Sequence, residues 1–277
     1  RLLIGALLAL FPWTVDRLSR IEFPVPQGGG VVLVTGTATG IGHAAVLALV
    51  DSGHYDAVYA GVLDETEAEV WRSRGSGDGK TRIVPIPLDV TKQKDVDDAV
   101  KVISARGEAL VGIVNNAGLS LPAPVETSSL DDVRSQYEVN VLGTWRVTQA
   151  FIPMLRASRG RIVIIGSLAG VASFPIMAAY AGSKHSLEAF ADALRMEMYS
   201  QSVSVSLVEP GAVYTPFLQN EIAPARKIQS NLRNEDSRLH HDLYGGFLIN
   251  SSMGGPSTWE KWPRVTVVVV ADCCQST

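Results

Sequence analysis

The chain has 277 residues, of which 46% are hydrophobic, and a formal net charge of −4. That length and apolar content suit one α/β domain with a single core, and the mild acidity gives no reason to expect a nucleic-acid partner. The two cysteines, Cys273 and Cys274, are adjacent and cannot staple distant parts of a secreted framework. The histidines are scattered, and His240-His241 reads as a solvated helix face, so no metal site is expected.

In chain order, Leu2 to Trp13 is apolar, and Asp16, Arg17 and Arg20 follow. About 20 apolar residues are needed to span a bilayer, so this run is too short by itself. It reads as the remaining end of an N-terminal anchor, an interfacial helix, or a helix packed on the domain. Pro24 to Gly30 is a linker, giving residues 1–29 as a separate segment and 30–277 as the domain. Val31 to Thr35 is a β-branched run that predicts a strand, and His43 to Val50 predicts a helix. Between them lies Gly36-Thr37-Ala38-Thr39-Gly40-Ile41-Gly42. A strand, a glycine-rich turn and a helix aim backbone N–H groups and a positive dipole end at a pyrophosphate. Gly36 permits the tight turn, Gly40 lets the backbone approach phosphate, and Gly42 lets helix and strand pack closely. The spacing differs from the commonest dinucleotide fingerprint, Gly-x-Gly-x-x-Gly.

A second strand ends near Val62-Leu63, with Asp64 and Glu65 just after, and Arg72 to Lys80 reads as a polar, glycine-rich loop. The strand Ile83–Leu88 runs into Asp89-Val90-Thr91, and the strand Leu110–Val114 into Asn115-Asn116-Ala117-Gly118. In a parallel sheet these C-terminal ends line the ligand crevice. Asp89 is placed to accept from an adenine amine, or to cap a helix starting near Thr91, and the two roles can coexist. Asn115 and Asn116 can also serve only to satisfy backbone groups in a sharp turn. Asn140 interrupts an apolar helical stretch, as a local kink with bound water or as a polar member of a site.

Arg161 to Gly166 predicts a buried strand, followed by Ser167. Tyr180 and Lys184 are four apart, and Leu187, Ala191, Leu194 and Met198 continue the same stripe, predicting a helix over 178–199. Free tyrosine, with a pKa near 10, is a poor base at neutral pH. An ammonium ~5 Å away at an effective dielectric of about 20 favours the phenolate by roughly 3 kcal/mol, or about two pKa units. That makes Tyr180 a candidate general acid/base. Beyond Thr215, Pro224 to Tyr244 predicts a polar-faced helix, part of a substrate lid over about 216–255, and Arg264 to Val270 a last strand.

In order and spacing, Thr35 to Gly42, Asp89-Val90, Asn115 to Gly118, Asn140, Ser167, Tyr180-x-x-x-Lys184 and Pro210 to Thr215 resemble the short-chain dehydrogenase/reductase family over about 30–218. Val58 to Leu63, Gly160 to Gly170, Ser206 to Phe217 and Leu243 to Phe247 are similar to its retinol, hydroxysteroid and hydroxybutyrate dehydrogenase branch. The resemblance implies an α/β, doubly wound parallel sheet (a Rossmann fold) and hydride transfer between NAD or NADP and an alcohol or carbonyl group. It implies that Tyr180 is the acid/base, that Lys184 lowers its pKa and binds the nicotinamide ribose, that Ser167 positions the reacting oxygen, and that Asn140 holds a relay water. It assigns the cofactor to Thr35, Gly36, Thr37, Thr39, Gly40, Ile41, Gly42, Asp89, Val90, Asn116, Ala117, Gly118, Tyr180 and Lys184, with Pro210, Gly211, Val213 and Thr215 beside the nicotinamide.

No Arg or Lys stands in the glycine turn, and acids follow the second strand, so NAD is expected over NADP. Phe174, Ile176, Met177, Phe217 and Leu218 flank the catalytic positions and suggest a steroid, retinoid or other lipid alcohol, although core packing would account for many of them. The alternatives are a soluble carbonyl reductase of small polar substrates and a non-catalytic dinucleotide-binding regulator. The resemblance also implies a homo-oligomer formed through helices around 133–155 and 178–199. An intracellular location is expected, at the endoplasmic reticulum or another membrane, or otherwise in the cytoplasm.

Overall fold

The computed structural model describes residues 29–74 and 81–211, together with Val213, Thr215 and Phe217. The apolar N-terminal run, the helix expected over 224–244, the last strand and both cysteines lie outside the described residues, as does the expected lid apart from Phe217.

Six strands build one parallel sheet: β1 (Val31–Val34), β2 (Ala57–Val62), β3 (Arg82–Pro87), β4 (Leu110–Asn115), β5 (Arg161–Ile165) and β6 (Ser204–Val208). Their spatial order is β3-β2-β1-β4-β5-β6, the doubly wound order of a Rossmann sheet. β1, β2 and β4 are buried along their whole length, which is why they read as unbroken apolar runs rather than as alternating ones. β3 contains Pro85 and Pro87, which lack the N–H that an interior ladder needs, and it lies at a sheet edge.

Neighbouring strand residues point to opposite faces, and each face has its own core. Leu33, Tyr59, Ile113, Ile162 and Ile164 meet three helices on one face. These are α3 (Gln93–Ala105) through Val96 and Ile103, α5 (Thr144–Ser158) through Val147, Phe151 and Leu155, and α6 (Ala178–Tyr199) through Leu187, Ala191, Leu194 and Met198. Val32, Val34, Val58, Val114 and Val163 face α1 (Gly40–Asp51) and α2 (Glu65–Arg74) on the other. The described residues form a single layered unit around this sheet. Its order reverses between β1 and β4, so their C-terminal ends open a crevice.

Two local expectations change. Of the loop expected over Arg72 to Lys80, the first three residues instead continue α2 to Arg74, and the rest lies outside the described residues. Arg72 is tied back to Glu65 and Glu69, and the Ser73 hydroxyl donates to the Val70 carbonyl. The helix after β3 begins at Gln93 with Lys92 at its N-cap position, so Asp89 does not cap it. Asp89 instead closes a tight turn by accepting from the N–H and hydroxyl of Thr91.

Gly42 is where α1 presses closest on the turn that precedes it. A methyl group there would stand 2.3 Å from the Gly36 carbonyl oxygen and 2.4 Å from Asn116 Nδ2. Gly42→Ala is therefore expected to lower stability by about 1–3 kcal/mol through overpacking. A reduced urea midpoint at unchanged slope would show it.

Candidate active site

The turn after β1 and the turn after β4 are locked together by side chains that are 81 residues apart. Thr35, fully buried, accepts from the N–H groups of Asn116 (2.9 Å) and Ala117 (3.0 Å). Asn116 Nδ2 donates to the carbonyls of Thr35 (2.9 Å) and Gly36 (2.8 Å). Thr37 is buried behind the turn, donating to the Gly61 carbonyl at 2.9 Å and accepting from Trp71 Nε1 at 3.2 Å. These bonds satisfy the polar groups of two irregular segments where water is excluded. Asn115 donates to the Thr148 hydroxyl at 2.9 Å and so ties the same turn to α5.

Between the two turns opens a cavity of 490 Å³, within the range of small-molecule sites. Gly36, Thr39, Gly40 and Ile41 line one side, and Asn116, Ala117 and Gly118 another. Ile165, Gly166, Ser167, Tyr180 and Lys184 form the inner end, with Pro210, Gly211, Val213 and Thr215 beside them. Phe174, Met177, Leu168, Ala169 and Phe217 complete an apolar mouth. Thr35, Thr37, Gly42, Asp89, Val90 and Asn140 stand outside the lining and support it or flank it. Val90 is buried, and its carbonyl accepts from Arg146 at 2.8 Å.

Ser167 follows β5 by two residues and caps a short 3₁₀ turn, Leu168–Gly170. Its Oγ accepts from the Ala169 N–H at 3.1 Å, which leaves its own proton available to donate. Tyr180 and Lys184 share a face of α6, and Lys184 Nζ lies 5.7 Å from the Tyr180 ring centre. Lys184 is 4% exposed, and its ammonium donates to the Ile165 carbonyl at 2.8 Å. Burial lowers its pKa from 10.5 to about 8, so it still carries its charge at neutral pH.

Asn140 lies in a π-helical turn, Glu138–Gly143, between α4 (Leu130–Tyr137) and α5. The wider turn marks the kink that an interior asparagine suggested. Asn140 accepts from the Leu119 N–H (2.7 Å) and donates to the Leu119 carbonyl (2.8 Å) and Ser183 Oγ (2.9 Å). Ser183 in turn donates to the Tyr180 carbonyl at 2.7 Å. The Asn140 amide is thus committed to protein, and it joins the β4 turn to the helix of Tyr180. Sequence reading missed Ser183, although it sits beside Lys184, and it missed the Ile165 carbonyl, which has no side-chain signature.

The residues fit a dinucleotide. Thr39 is the N-cap residue of α1 but makes no side-chain cap, so the first N–H groups of a 12-residue helix are left to the cavity lined by Gly40 and Ile41. Asp89 stands at the end of β3, where burial would raise its carboxyl but Thr91 and Lys92 outweigh that and hold it below the usual range. Among the described residues no group of metal-ligating side chains occurs.

A family described as short chain dehydrogenase matches residues 30–225. The chain is 34% identical over 225 residues to the 3-amino-tetrahydro-pyrrolizinone reductase of Xenorhabdus hominickii, covering 80% of this chain and 75% of that protein. It is 34% identical over 233 residues to a 3beta-hydroxysteroid dehydrogenase of Caenorhabditis elegans, covering 80% of this chain but 59% of that protein. Among solved structures it is similar to an alcohol dehydrogenase of Thermococcus sibiricus complexed with 5-hydroxy-NADP. There the TM-score is 0.63 at 27% identity, over 67% of this chain and 77% of the other.

The buried ammonium sets a pH-dependent cost. Below pH 8 folding keeps a charge out of water, and the cost, about 3 kcal/mol, is relieved as pH rises from 8 to 10.5. The sign follows because the unfolded chain binds the extra proton across that window. In protein free of cofactor, the melting temperature of Lys184→Met minus that of wild type should therefore fall steadily from pH 8 to pH 10.5. A difference independent of pH would contradict the buried charge.

Proposed function

We propose that this chain, which belongs to the short-chain dehydrogenase/reductase family, moves a hydride between NAD(P) and an apolar alcohol or its carbonyl counterpart. The observation that carries the reading is Lys184, a buried cation beside the Tyr180 ring at the inner end of the cavity. A nicotinamide cofactor supplies the hydride acceptor or donor when bound. Tyr180 takes the proton of the substrate hydroxyl during oxidation and returns it during reduction. Lys184 favours the phenolate by its charge and binds the nicotinamide ribose. Ser167 keeps its proton and donates a hydrogen bond to the substrate oxygen, where charge builds up in the transition state. Asn140 and Ser183 hold the Tyr180 helix against the β4 turn.

The cofactor turn is uncharged, and the Thr37 hydroxyl is already used by Gly61 and Trp71, so no side chain there invites a ribose phosphate. Asp64 follows β2 and caps α2 by accepting from the Glu67 N–H, an acid in the region where ribose hydroxyls are bound. This supports NAD, with Asp89 toward the adenine. The apolar mouth supports a bulky apolar substrate, as does the name of the Caenorhabditis elegans relative. Membrane association is proposed for the N-terminal run alone; among the described residues no helix is long and apolar enough to cross a membrane.

The test is a Tyr180→Phe variant assayed with alcohols and NAD. NADH should bind wild type and variant alike, and more tightly than NADPH, while turnover falls by about a hundredfold or more. Near-normal turnover in the variant would remove Tyr180 from the mechanism.

We also propose a homodimer formed by the outer faces of α5 and α6. Trp145 is 53% exposed and packs on Phe190 with ring centres 4.9 Å apart, and Leu142 beside it is 47% exposed. An apolar patch of this kind is suited to a second copy. Sedimentation at micromolar concentration should give a dimer, and Trp145→Glu should shift it to monomer.

A further inference from the structure

Four residues before Tyr180 the backbone does something its sequence disfavours. Met177 donates its N–H to the Phe174 carbonyl at 3.2 Å, which closes a turn over Phe174-Pro175-Ile176-Met177. Proline in the second place and a φ of +62° at Ile176 in the third are the pattern of a type II turn, whose third place belongs to glycine or asparagine. A β-branched residue is a genuine outlier there. Among the described residues two other non-glycine residues have left-handed φ, Arg159 and Ser202, and both follow helix ends, where that conformation is common. Ile176 is different, because it stands between Phe174 and Met177, both of which line the cavity.

The turn is held from both sides. The Ile176 carbonyl accepts from the Ala123 N–H at 2.8 Å, which anchors it to the segment after β4. The Met177 carbonyl accepts from the Ala181 N–H at 2.7 Å, which anchors it to the first turn of α6. The residues at its two ends, Phe174 and Met177, line the mouth, and Phe217 lies there with its ring centre 6.2 Å from that of Tyr180. Strain kept at such a place points to a function for the shape it enforces.

We infer that this turn is the clamp that selects the apolar part of the substrate, and that Ile176 is its positioning residue. Glycine would satisfy the same φ but would let the turn wander. Isoleucine, with its stiff branched side chain, has few alternatives once the two anchors are made. Phe174 and Met177 are thereby presented as a wall that exists before the substrate arrives, which lowers the ordering cost of binding. The inference rests on the proposed oxidation of apolar alcohols.

Three proteins decide it: wild type, Ile176→Gly and Ile176→Asn, assayed with NAD or NADP on 2-propanol and 2-octanol. Ile176→Gly should raise KM for 2-octanol about fivefold or more, with kcat and the KM for 2-propanol within about twofold of wild type. Ile176→Asn tolerates the left-handed position and keeps a side chain, so it should hold the wild-type KM within about twofold. The Ile176→Gly protein, free of ligands, should melt no lower than wild type, because relief of strain offsets the lost side chain. An unchanged octanol KM in Ile176→Gly, an equal rise in Ile176→Asn, or a clear drop in melting temperature each overturns the inference. If wild type oxidises neither alcohol with either cofactor, the alcohol reading fails, and the melting comparison still decides whether the turn is strained.

Discussion

The ammonium of Lys184 sits almost out of reach of water, and a buried charge is tolerated only where fixed dipoles replace its hydration. Its partner is the Ile165 carbonyl at the last residue of β5, so strand and helix must meet at one register. Leu187, Ala191, Leu194 and Met198 press α6 onto the sheet and supply that register through apolar burial. Asn140 and Ser183 fix the same helix from the side of the β4 turn. The lysine therefore depends on three elements that are far apart in the chain. The same placement brings Tyr180 over the crevice and sets Ser167 beside it in the lining.

A second constraint works at the other end of the crevice. The turns after β1 and β4 carry no regular hydrogen bonding, so their polar groups need partners of their own. Thr35 and Asn116 supply these to each other, and Thr37 with Trp71 does so behind the turn. The turns are rigid in this way without using the first N–H groups of α1, which remain for an anion. One end of the cavity is thus suited to phosphate and the other to proton transfer, with an apolar mouth between them and solvent.

The functional parts differ in how strained they are. The cofactor turn meets its conformational demands with glycine, and Gly42 takes the closest approach of backbone to backbone. The turn over Phe174–Met177 meets a similar demand with isoleucine. A surface that must fit the phosphates of a dinucleotide gains from a residue with no side chain. A wall that must keep one shape can gain from a residue with few conformations.

Much of the fold was legible along the chain. The strands are β-branched runs ending in polar residues, and the helix over 178–199 has the limits its apolar stripe predicts, because period and composition are local properties. The identity of Tyr180, Lys184 and Ser167 as candidates came from spacing and from resemblance. What the sequence could not say was who satisfies whom. Thr35 with Asn116, Asn140 with Ser183, and Lys184 with a main-chain carbonyl are pairings between segments far apart in the chain, and nothing in either partner's neighbourhood names the other. The reach of α2 to Arg74 rests on ion pairs that overrode a polar, glycine-rich appearance. The left-handed Ile176 was hidden for the same reason, since a local rule asks for glycine there and only contacts from Ala123 and Ala181 hold another residue in its place. Sequence alone indicated most of the described strands and helices and the residues proposed to carry the chemistry. Tertiary structure decided which groups are buried together, because burial is a property of the packed whole.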